Sequence, residues 1–272
     1  MDFNNKLVLI TGASSGIGAA TAKEFAKHNA RVLLLARRKE ELRKVAEEIQ
    51  REGGYAKYLA ADITDHKSVE RVTNKIKKEI GVPDIIFNNA GSGPFKFIEE
   101  TTPEEALQLL TPYVGGFFIT KAFMQEMLKN NKGHIVNMTS HSYVLAFPGA
   151  TGYIAANAAM RGFTDALRAD LYGTKINITL VACSKVNSTF WENNPGSELR
   201  CPSAHDFLPT PSTVDVGKAI VKGVYHERKQ ILIPRSLLFA VCLKYICPPF
   251  MRWLLYKTGY KRGSQGTTCA IH

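Results

Sequence analysis

A glycine-rich turn near the start of the chain restricts the fold more than any other stretch of the sequence. The segment TGASSGIG, Thr11 to Gly18, lies between an apolar run, Lys6 to Ile10, and a helical pattern, Ala19 to His28. Glycines at this spacing allow a tight turn, a close approach of backbone to phosphate, and close packing of helix on strand. The first N–H groups of the helix then face an anion. This order predicts a dinucleotide-binding unit, although a purely structural turn fits the same letters.

Short apolar runs and helical patterns alternate along most of the remaining chain. With 272 residues and 45% hydrophobic content, the chain can bury the core of a single domain. We predict strands at 31–36, 58–61, 84–87, 134–139, 177–182 and 230–233. One long helix is predicted from Pro103 to Asn130, with a bend at Pro112, Gly115 and Gly116. A stretch from 193 to 213, rich in proline, is predicted to form a lid.

The residues that follow the second strand bear on the choice between NAD and NADP. An acidic residue there would accept a hydrogen bond from the ribose 2′-OH, but this chain has Arg37, Arg38 and Lys39. Cations suit a 2′-phosphate, so the sequence favours NADP(H) over NAD. An ordinary charged helix start remains an alternative for these residues.

Polar and small residues after the later strands are candidates for the functional site. Asp62 could accept a hydrogen bond from an adenine amine, and the tetrapeptide Asn88 to Gly91 is expected to lie against the cofactor. Ser140 follows the fifth strand, and Tyr153 opens an alanine-rich helix. We expect these two hydroxyl groups to lie beside a carbonyl or alcohol.

Three motifs in this order resemble those of the short-chain dehydrogenase/reductase superfamily. They are TGASSGIG, the NNAG of Asn88 to Gly91, and Ser140 placed before Tyr153, and the resemblance covers about residues 5 to 235. It implies an α/β fold, a single Rossmann-type doubly wound parallel sheet with helices on both faces. Residues 1–235 would be the NADP-binding domain and residues 236–272 a C-terminal extension. The cofactor contacts it implies are Gly12, Ser14, Ser15, Gly16, Ile17, Gly18, Arg37, Arg38, Asp62, Ile63, Asn89, Ala90, Gly91, Tyr153, Asn157, Val186 and Ser188.

The chain departs from the family pattern around the predicted hydroxyl pair. Members of this family carry a Lys four residues after the Tyr, where this chain has Asn157. Counting back three residues from Gly116 places Tyr113 where the family has an Asn in the proton relay. A Pro-Gly pair is replaced by Cys183 and Ser184, with Ser188 or Thr189 beyond it to contact the carboxamide.

The missing cation is expected to weaken catalysis without abolishing it. A tyrosine of ordinary pKa, about 10, is a slow acid–base group unless a cation stabilises its phenolate. Losing one positioned acid–base element removes about 10²- to 10⁴-fold in rate. Asn157 could keep a ribose hydrogen bond but supplies no charge. The nearby groups that could compensate are His141, Tyr143, Tyr113 and Lys185.

Charge and cysteine content bear on partners and location. The net charge is +11, and no acidic side chain follows Glu227, whereas basic residues there alternate with bulky apolar ones. This pattern favours a membrane surface over nucleic acid, and packing on the chain's own core or on a second subunit is the alternative. Five cysteines without a CxxC pair indicate free thiols and a reducing compartment. We predict a cytoplasmic-side protein without a signal peptide, peripheral on the endoplasmic reticulum or another membrane.

Two functional hypotheses follow from the sequence. The first is an NADP(H)-dependent oxidoreductase acting on an apolar carbonyl or alcohol of lipid, retinoid or steroid type, as a homodimer or homotetramer. Phe95, Phe97, Tyr143, Phe190 and Trp191 are candidates for its substrate wall. The second is a weak or inactive cofactor-binding protein that serves as a sensor or membrane-associated scaffold. Both hypotheses predict NADPH binding, so binding alone does not separate them.

Overall fold

A seven-stranded parallel sheet forms the centre of the molecule. The computed structural model describes residues 2–91 and 93–262. The strands are β1 Leu7–Thr11, β2 Arg31–Ala36, β3 Tyr55–Ala60, β4 Ile85–Asn88, β5 Gly133–Ser140, β6 Ile176–Cys183 and β7 Gln230–Ile233. Their order across the sheet is β3-β2-β1-β4-β5-β6-β7, so the direction of winding reverses at β1 and β4. The predicted doubly wound fold is confirmed.

Helices cover both faces of this sheet. They are α1 Gly16–Lys27, α2 Lys39–Arg51, α3 His66–Glu79, α4 Pro103–Leu109, α5 Thr111–Lys129, α6 Thr151–Asp170, α7 Phe190–Asn193, α8 Thr213–Tyr225, α9 Leu237–Ile246 and α10 Pro248–Thr258. One core packs α1, α2 and α8 against alternate strand residues such as Val8 and Ile10. The other packs α3, α5 and α6 against the intervening residues, Leu7 and Leu9. Successive side chains of a strand point to opposite faces, so strands such as β1 contribute to both cores.

The long helix predicted from Pro103 to Asn130 is two helices in the structure. The first, α4, ends at Leu109, and α5 begins at Thr111. Pro112 lacks the N–H that would continue the hydrogen-bond pattern, and its ring disfavours the helical region for the preceding residue. The prediction of a single bent helix was therefore wrong at this point.

The predicted lid is a packed segment, residues 194–212, which we call the cover segment. Two short 3-10 turns, Glu198–Arg200 and Ser203–Phe207, give it structure. Its ends are held by a hydrogen bond from Asn187 N to Pro211 O of 3.0 Å, and Ser197 Oγ accepts from Phe95 N at 2.9 Å. This segment lies against the chain rather than extending into solvent.

The C-terminal extension forms a hairpin of α9 and α10. Leu237, Met251 and Leu255 are buried in a small apolar cluster with Leu145. Within the part of the chain that the structure describes, no helix has both the length and the apolar character needed to cross a membrane. The last ten residues of the predicted extension, which include Cys269, lie outside the described residues.

Candidate active site

The glycine turn has a backbone conformation that larger residues rarely adopt, and its close contacts leave no room for a side chain. Gly12 and Gly16 have φ of 66° and 57°. A Cβ at Gly12 would lie 2.8 Å from Ala90 Cα, and one at Gly18 would lie 2.4 Å from the carbonyl oxygen of Gly12. Both contacts are with backbone atoms, so a larger residue at either position would displace the loop.

The first turn of α1 faces an open space beside the glycine turn. Its N-cap, Ser15, makes no side-chain capping hydrogen bond, and no acidic residue lies in this first turn. The nearest atom to a Cβ built on Gly16 is Thr189 Oγ1, at 4.0 Å. Since the N–H groups at a helix N-terminus favour negative charge, this space fits the pyrophosphate of a dinucleotide.

The arginine predicted to read the 2′-phosphate lies beside the same turn. Arg38 Nη2 donates to Ser14 Oγ at 3.0 Å and to Ser15 Oγ at 2.6 Å. Burial alone would raise the pKa of Asp62, but hydrogen bonds from Thr64 and the charge of Arg37 hold it below its ordinary value. The ends of β2 and β3 thus carry two cations and one carboxylate around the space beside the glycine turn.

The NNAG segment braces the end of β4 against its neighbours. Asn88 is buried, and its Nδ2 donates to Thr120 Oγ1 at 3.0 Å and to Asn137 Oδ1 at 2.9 Å. Asn89 Nδ2 donates to Thr11 O at 3.0 Å. These bonds join β4 to β1, β5 and α5, and they fix the floor of the predicted cofactor cleft.

The structure brings Ser140 and Tyr153 together. Ser140 ends β5, Tyr153 lies in the first turn of α6, and both side chains line the same cavity. The Tyr153 ring packs on Phe95, with 4.7 Å between ring centroids. Burial raises the pKa of Tyr153 to about 12, although hydrogen bonds with Ser140 and Asn157 partly oppose this shift. At neutral pH this tyrosine is a proton donor and a very weak base.

The side chain of Asn157 forms hydrogen bonds with other groups of the protein and does not extend into the predicted cofactor cleft. Its Oδ1 accepts hydrogen bonds from Ser140 N at 2.7 Å and from Thr139 Oγ1 at 3.0 Å. Its Nδ2 donates to Tyr153 O at 2.9 Å. The side chain is 6% exposed. It therefore clamps the start of α6 to the end of β5, and the ribose contact predicted for it competes with these bonds.

Tyr113 is not among the residues that the structure brings together at this site. It lies on the outer surface of α5 and α6, where its ring packs on Phe117 and Phe163 with centroid distances of 6.3 and 5.7 Å. From the first turn of α5, Pro112 contacts Gly91 of the NNAG segment: a Cβ at Gly91 would lie 2.5 Å from Pro112 Cγ. Pro112 has no side-chain polar group, so it cannot hold a relay water as an Asn does.

A cavity of about 100 Å³ adjoins the hydroxyl pair. Its lining mixes aromatic, aliphatic and small polar side chains and includes Ile17, Phe95, Phe147, Tyr153, Val186, Ser188, Phe190, Trp191 and Cys201. Ser184 Oγ also lines it, is buried, and makes no hydrogen bond within the described part of the chain. Phe95, Phe147, Phe190 and Trp191 thus give the cavity apolar walls, and Ser184 leaves a hydroxyl without a protein partner among the described residues.

Two histidines close one side of the cavity. His141 Nδ1 lies 2.9 Å from Cys183 O, so it carries the proton, and His141 Nε2 accepts from His205 Nε2 at 3.2 Å. Burial lowers the pKa of His141 and, together with the charge of nearby groups, brings that of His205 to about 3. The sequence analysis identified His141 but not His205, since the cover segment brings His205 to the site only through tertiary packing.

The other groups that could replace the missing cation have partners of their own. Lys185 Nζ pairs with Glu198 at 2.9 Å and also lies over the Trp191 ring. The Tyr143 hydroxyl accepts from Arg161 Nη1 at 3.2 Å and from Gln230 Nε2 at 3.0 Å. Of the compensation candidates, His141 and Lys185 line the cavity.

Comparison with known proteins decides the family. The family model described as short chain dehydrogenase matches residues 6–198. The chain belongs to the short-chain dehydrogenase/reductase family. Its relatives include an Arabidopsis thaliana 11-beta-hydroxysteroid dehydrogenase 1A, which is 32% identical over 271 residues, 93% of this chain and 76% of that protein. Human estradiol 17-beta-dehydrogenase 11 is 30% identical over 89% of this chain and 79% of its own length.

Other similar proteins support the fold of this short-chain dehydrogenase. A fatty acyl-CoA reductase of Acinetobacter baylyi is 28% identical over 94% of this chain and 84% of that protein. A Burkholderia phymatum family member in complex with NAD has a TM-score of 0.81 at 22% identity and covers 92% of this chain and 96% of its own. A Sphingobium yanoikuyae enzyme in complex with NADPH has a TM-score of 0.77 at 23% identity, with 96% and 98% covered. Both complexes contain a nicotinamide dinucleotide.

Proposed function

We propose that this short-chain dehydrogenase transfers hydride between NADP(H) and an apolar carbonyl or alcohol of lipid, retinoid or steroid type. The observation that supports this most strongly is that the hydroxyl residues Ser140 and Tyr153 both line one cavity, together with the aromatic rings of Phe95, Phe147, Phe190 and Trp191. Apolar walls favour an apolar substrate, and a pair of hydroxyl groups fixes the position of its oxygen. Relatives named for estradiol, 11-beta-hydroxysteroids and fatty acyl-CoA support the same substrate class.

In such a reaction, Tyr153, Ser140 and Asn157 each have a different role. The nicotinamide, when bound, supplies the hydride in reduction or accepts it in oxidation. Tyr153 donates its proton to the substrate oxygen as the carbonyl is reduced, and Ser140 donates a hydrogen bond to that oxygen. Asn157 holds the backbone of both elements in register but supplies no positive charge to the Tyr153 phenolate. Reduction, in which Tyr153 acts as an acid, is therefore the better supported direction.

A second candidate function rests on the same side chain. Asn157 is uncharged and the pKa of Tyr153 is raised to about 12, so the proton relay lacks the cation that the family places at this position. The chain would then bind NADP(H) as a sensor or membrane-associated scaffold with little turnover. A carbonyl series separates the two functions. If NADPH reduces long-chain and steroid ketones faster than short-chain ketones, the result supports the oxidoreductase function. If no compound of the series is reduced, the result contradicts that function.

Cofactor preference is expected to depend on Arg38. Replacing it by Ala should weaken NADPH binding about 10- to 100-fold and leave NADH binding nearly unchanged, because hydrogen bonds to a charged phosphate contribute about 1.5–3 kcal/mol. Dissociation constants measured by cofactor fluorescence would show this. Arg43→Ala is the matched control, since Arg43 is an exposed arginine of α2 that pairs with Glu40 and Glu47. Equal affinities for NADH and NADPH in the parent would contradict NADP specificity.

Assembly and location complete the proposal. A homodimer or homotetramer is supported by an apolar groove on α5 and α6, lined by Tyr113, Phe117 and Phe163 with small residues between them. Sedimentation of the parent as a monomer would contradict it. The proposed location, peripheral on the cytoplasmic side of the endoplasmic reticulum or another membrane, rests on the C-terminal hairpin.

A further inference from the structure

The outward face of α9 is apolar along its whole length. Leu238, Phe239, Cys242, Tyr245 and Ile246 are exposed, and their spacing places them on one side of the helix. Phe239 is 74% exposed and Ile246 is 80% exposed. The inward residue Leu237 is fully buried. A helix that packed only on its own protein would carry polar residues on this outward face, so the face lacks a partner within the described chain.

The outward face of α10 combines aromatic and basic side chains. Phe250 and Trp253 are exposed, and their rings stack with 6.0 Å between centroids. Arg252, Tyr256 and Lys257 are exposed beside them. Tryptophan and tyrosine favour the boundary between water and lipid, while arginine and lysine extend their charged ends into the headgroups. We call the outward faces of α9 and α10 together the hairpin surface.

The charge of the hairpin surface selects its partner. Lys244, Arg252 and Lys257 lie within α9 and α10, which contain no acidic residue, and Arg235 precedes them, whereas Arg262 beyond α10 pairs with Glu99. A second copy of the chain would bring the same excess of positive charge against it, which is unfavourable. Anionic lipid headgroups are complementary to it. The groove on α5 and α6, which is lined mainly by apolar residues and by Asp170 and carries no basic residue, is a better site for a second copy.

The length of each helix decides how it can meet a bilayer. A helix of 10 or 11 residues is about 16 Å long, half the thickness of the hydrocarbon core. The hairpin therefore cannot span a membrane as two straight helices, but it can lie in the interfacial plane with its apolar face among the acyl chains. Its inward face stays attached to the domain through Met251 and Leu255, which pack with Leu145.

We propose that the hairpin surface docks the protein on an anionic lipid bilayer and holds the cover segment of the cavity at the membrane interface. The structural link is direct: α10 contacts the turn Ser203–Phe207, and Leu208 belongs to the hairpin's apolar cluster. Within that turn His205 lines the cavity, whereas Phe207 is 88% exposed. An apolar substrate dissolved in the bilayer then reaches the cover segment without crossing bulk water. This last step rests on the proposed function, and docking itself does not.

Vesicle flotation of the full chain tests the docking. The parent should float with vesicles of phosphatidylglycerol and phosphatidylcholine about tenfold more than with phosphatidylcholine alone, and about 0.5 M salt should weaken this binding. The double variant Phe239→Ser, Ile246→Ser should lose it at least about tenfold. The matched control is Ile98→Ser, Leu107→Ser, because these residues are 69% and 72% exposed on other elements. Two results would overturn the proposal: an equal loss of vesicle binding in the hairpin double variant and the control double variant, or unchanged flotation of the hairpin double variant.

Tryptophan fluorescence gives a second measurement that needs no substrate. The chain has two tryptophans, so Trp191→Phe leaves Trp253 as the reporter. Its emission should shift to shorter wavelength on anionic vesicles and be quenched by brominated acyl chains. The double variant Phe239→Ser, Ile246→Ser should sediment like the parent protein. If the double variant Phe239→Ser, Ile246→Ser dissociates from an oligomer, and lipid does not change the emission of Trp253, the hairpin surface is a subunit interface instead. Lipid docking without turnover would remove the proposed function and leave the docking intact.

Discussion

Alcohol oxidation is expected to accelerate about tenfold per pH unit between pH 7 and 10, while carbonyl reduction changes little. The pKa of Tyr153 is about 12, so the phenolate that must act as the base is a fraction of about 10⁻⁵ at pH 7. That fraction rises tenfold with each pH unit below the pKa. The neutral form, which serves reduction, stays near unity over this range.

The measurement is kcat/KM for both directions with one alcohol–ketone pair, at constant ionic strength. NADP⁺ binding is measured at each pH, so that changes in affinity are separated from the chemical step. A plateau of the oxidation rate near neutral pH would contradict the prediction. It would show that another group lowers the pKa of Tyr153, and the buried His141–His205 pair or Lys185 would be examined first.

Restoring a cation at position 157 is expected to raise activity and lower stability together. In Asn157→Lys, a positive charge one helical turn from Tyr153 should stabilise the phenolate and increase hydride transfer about 10- to 100-fold at pH 7. The same change removes the acceptor of Ser140 N and one of the two acceptors of Thr139 Oγ1, which keeps its hydrogen bond to the backbone oxygen of residue 157. Each buried polar group left without a partner costs about 1–3 kcal/mol, which urea unfolding would detect.

Asn157→Leu is the matched control for that experiment. It removes the same hydrogen bonds without adding a charge, so it should lose a similar free energy of unfolding and gain no activity. Equal rates in the Lys and Leu variants would mean that the charge at this position does not reach Tyr153. Unchanged stability in both would contradict the role of Asn157 as the clamp between β5 and α6.

The sequence predicted the features that depend on local rules. The glycine turn, the alternation of strands and helices, and the spacing of Ser140 and Tyr153 each follow from backbone sterics or strand order, and the structure places them as expected for the fold. Tyr113 was selected by counting back three residues from Gly116. The adjacent Gly115 is an equally possible starting point, and counting back from it gives Pro112. A shift of one residue rotates a side chain by about 100° around a helix, which moves Tyr113 to the outer surface and Pro112 to the cleft.

Features that depend on tertiary packing were beyond the sequence. Whether Asn157 points toward a ribose or toward β5 depends on which partners lie within reach, and Ser140 N is 17 residues away along the chain. His205 meets His141 across 64 residues, through a segment predicted as a lid and found packed. The basic apolar extension was predicted from composition, but its outward apolar stripe became visible only once Leu237, Met251 and Leu255 were placed inward.

The central claim is that Ser140 and Tyr153 support hydride transfer without the family's lysine. Single-turnover reduction, with NADPH bound in excess and the best ketone or aldehyde of the carbonyl series, tests it most directly. The parent should transfer hydride at a measurable rate, and Tyr153→Phe should lower that rate about 10²- to 10⁴-fold while NADPH binding is retained. A parent rate equal to that of Tyr153→Phe across the whole series would contradict the claim and favour the scaffold.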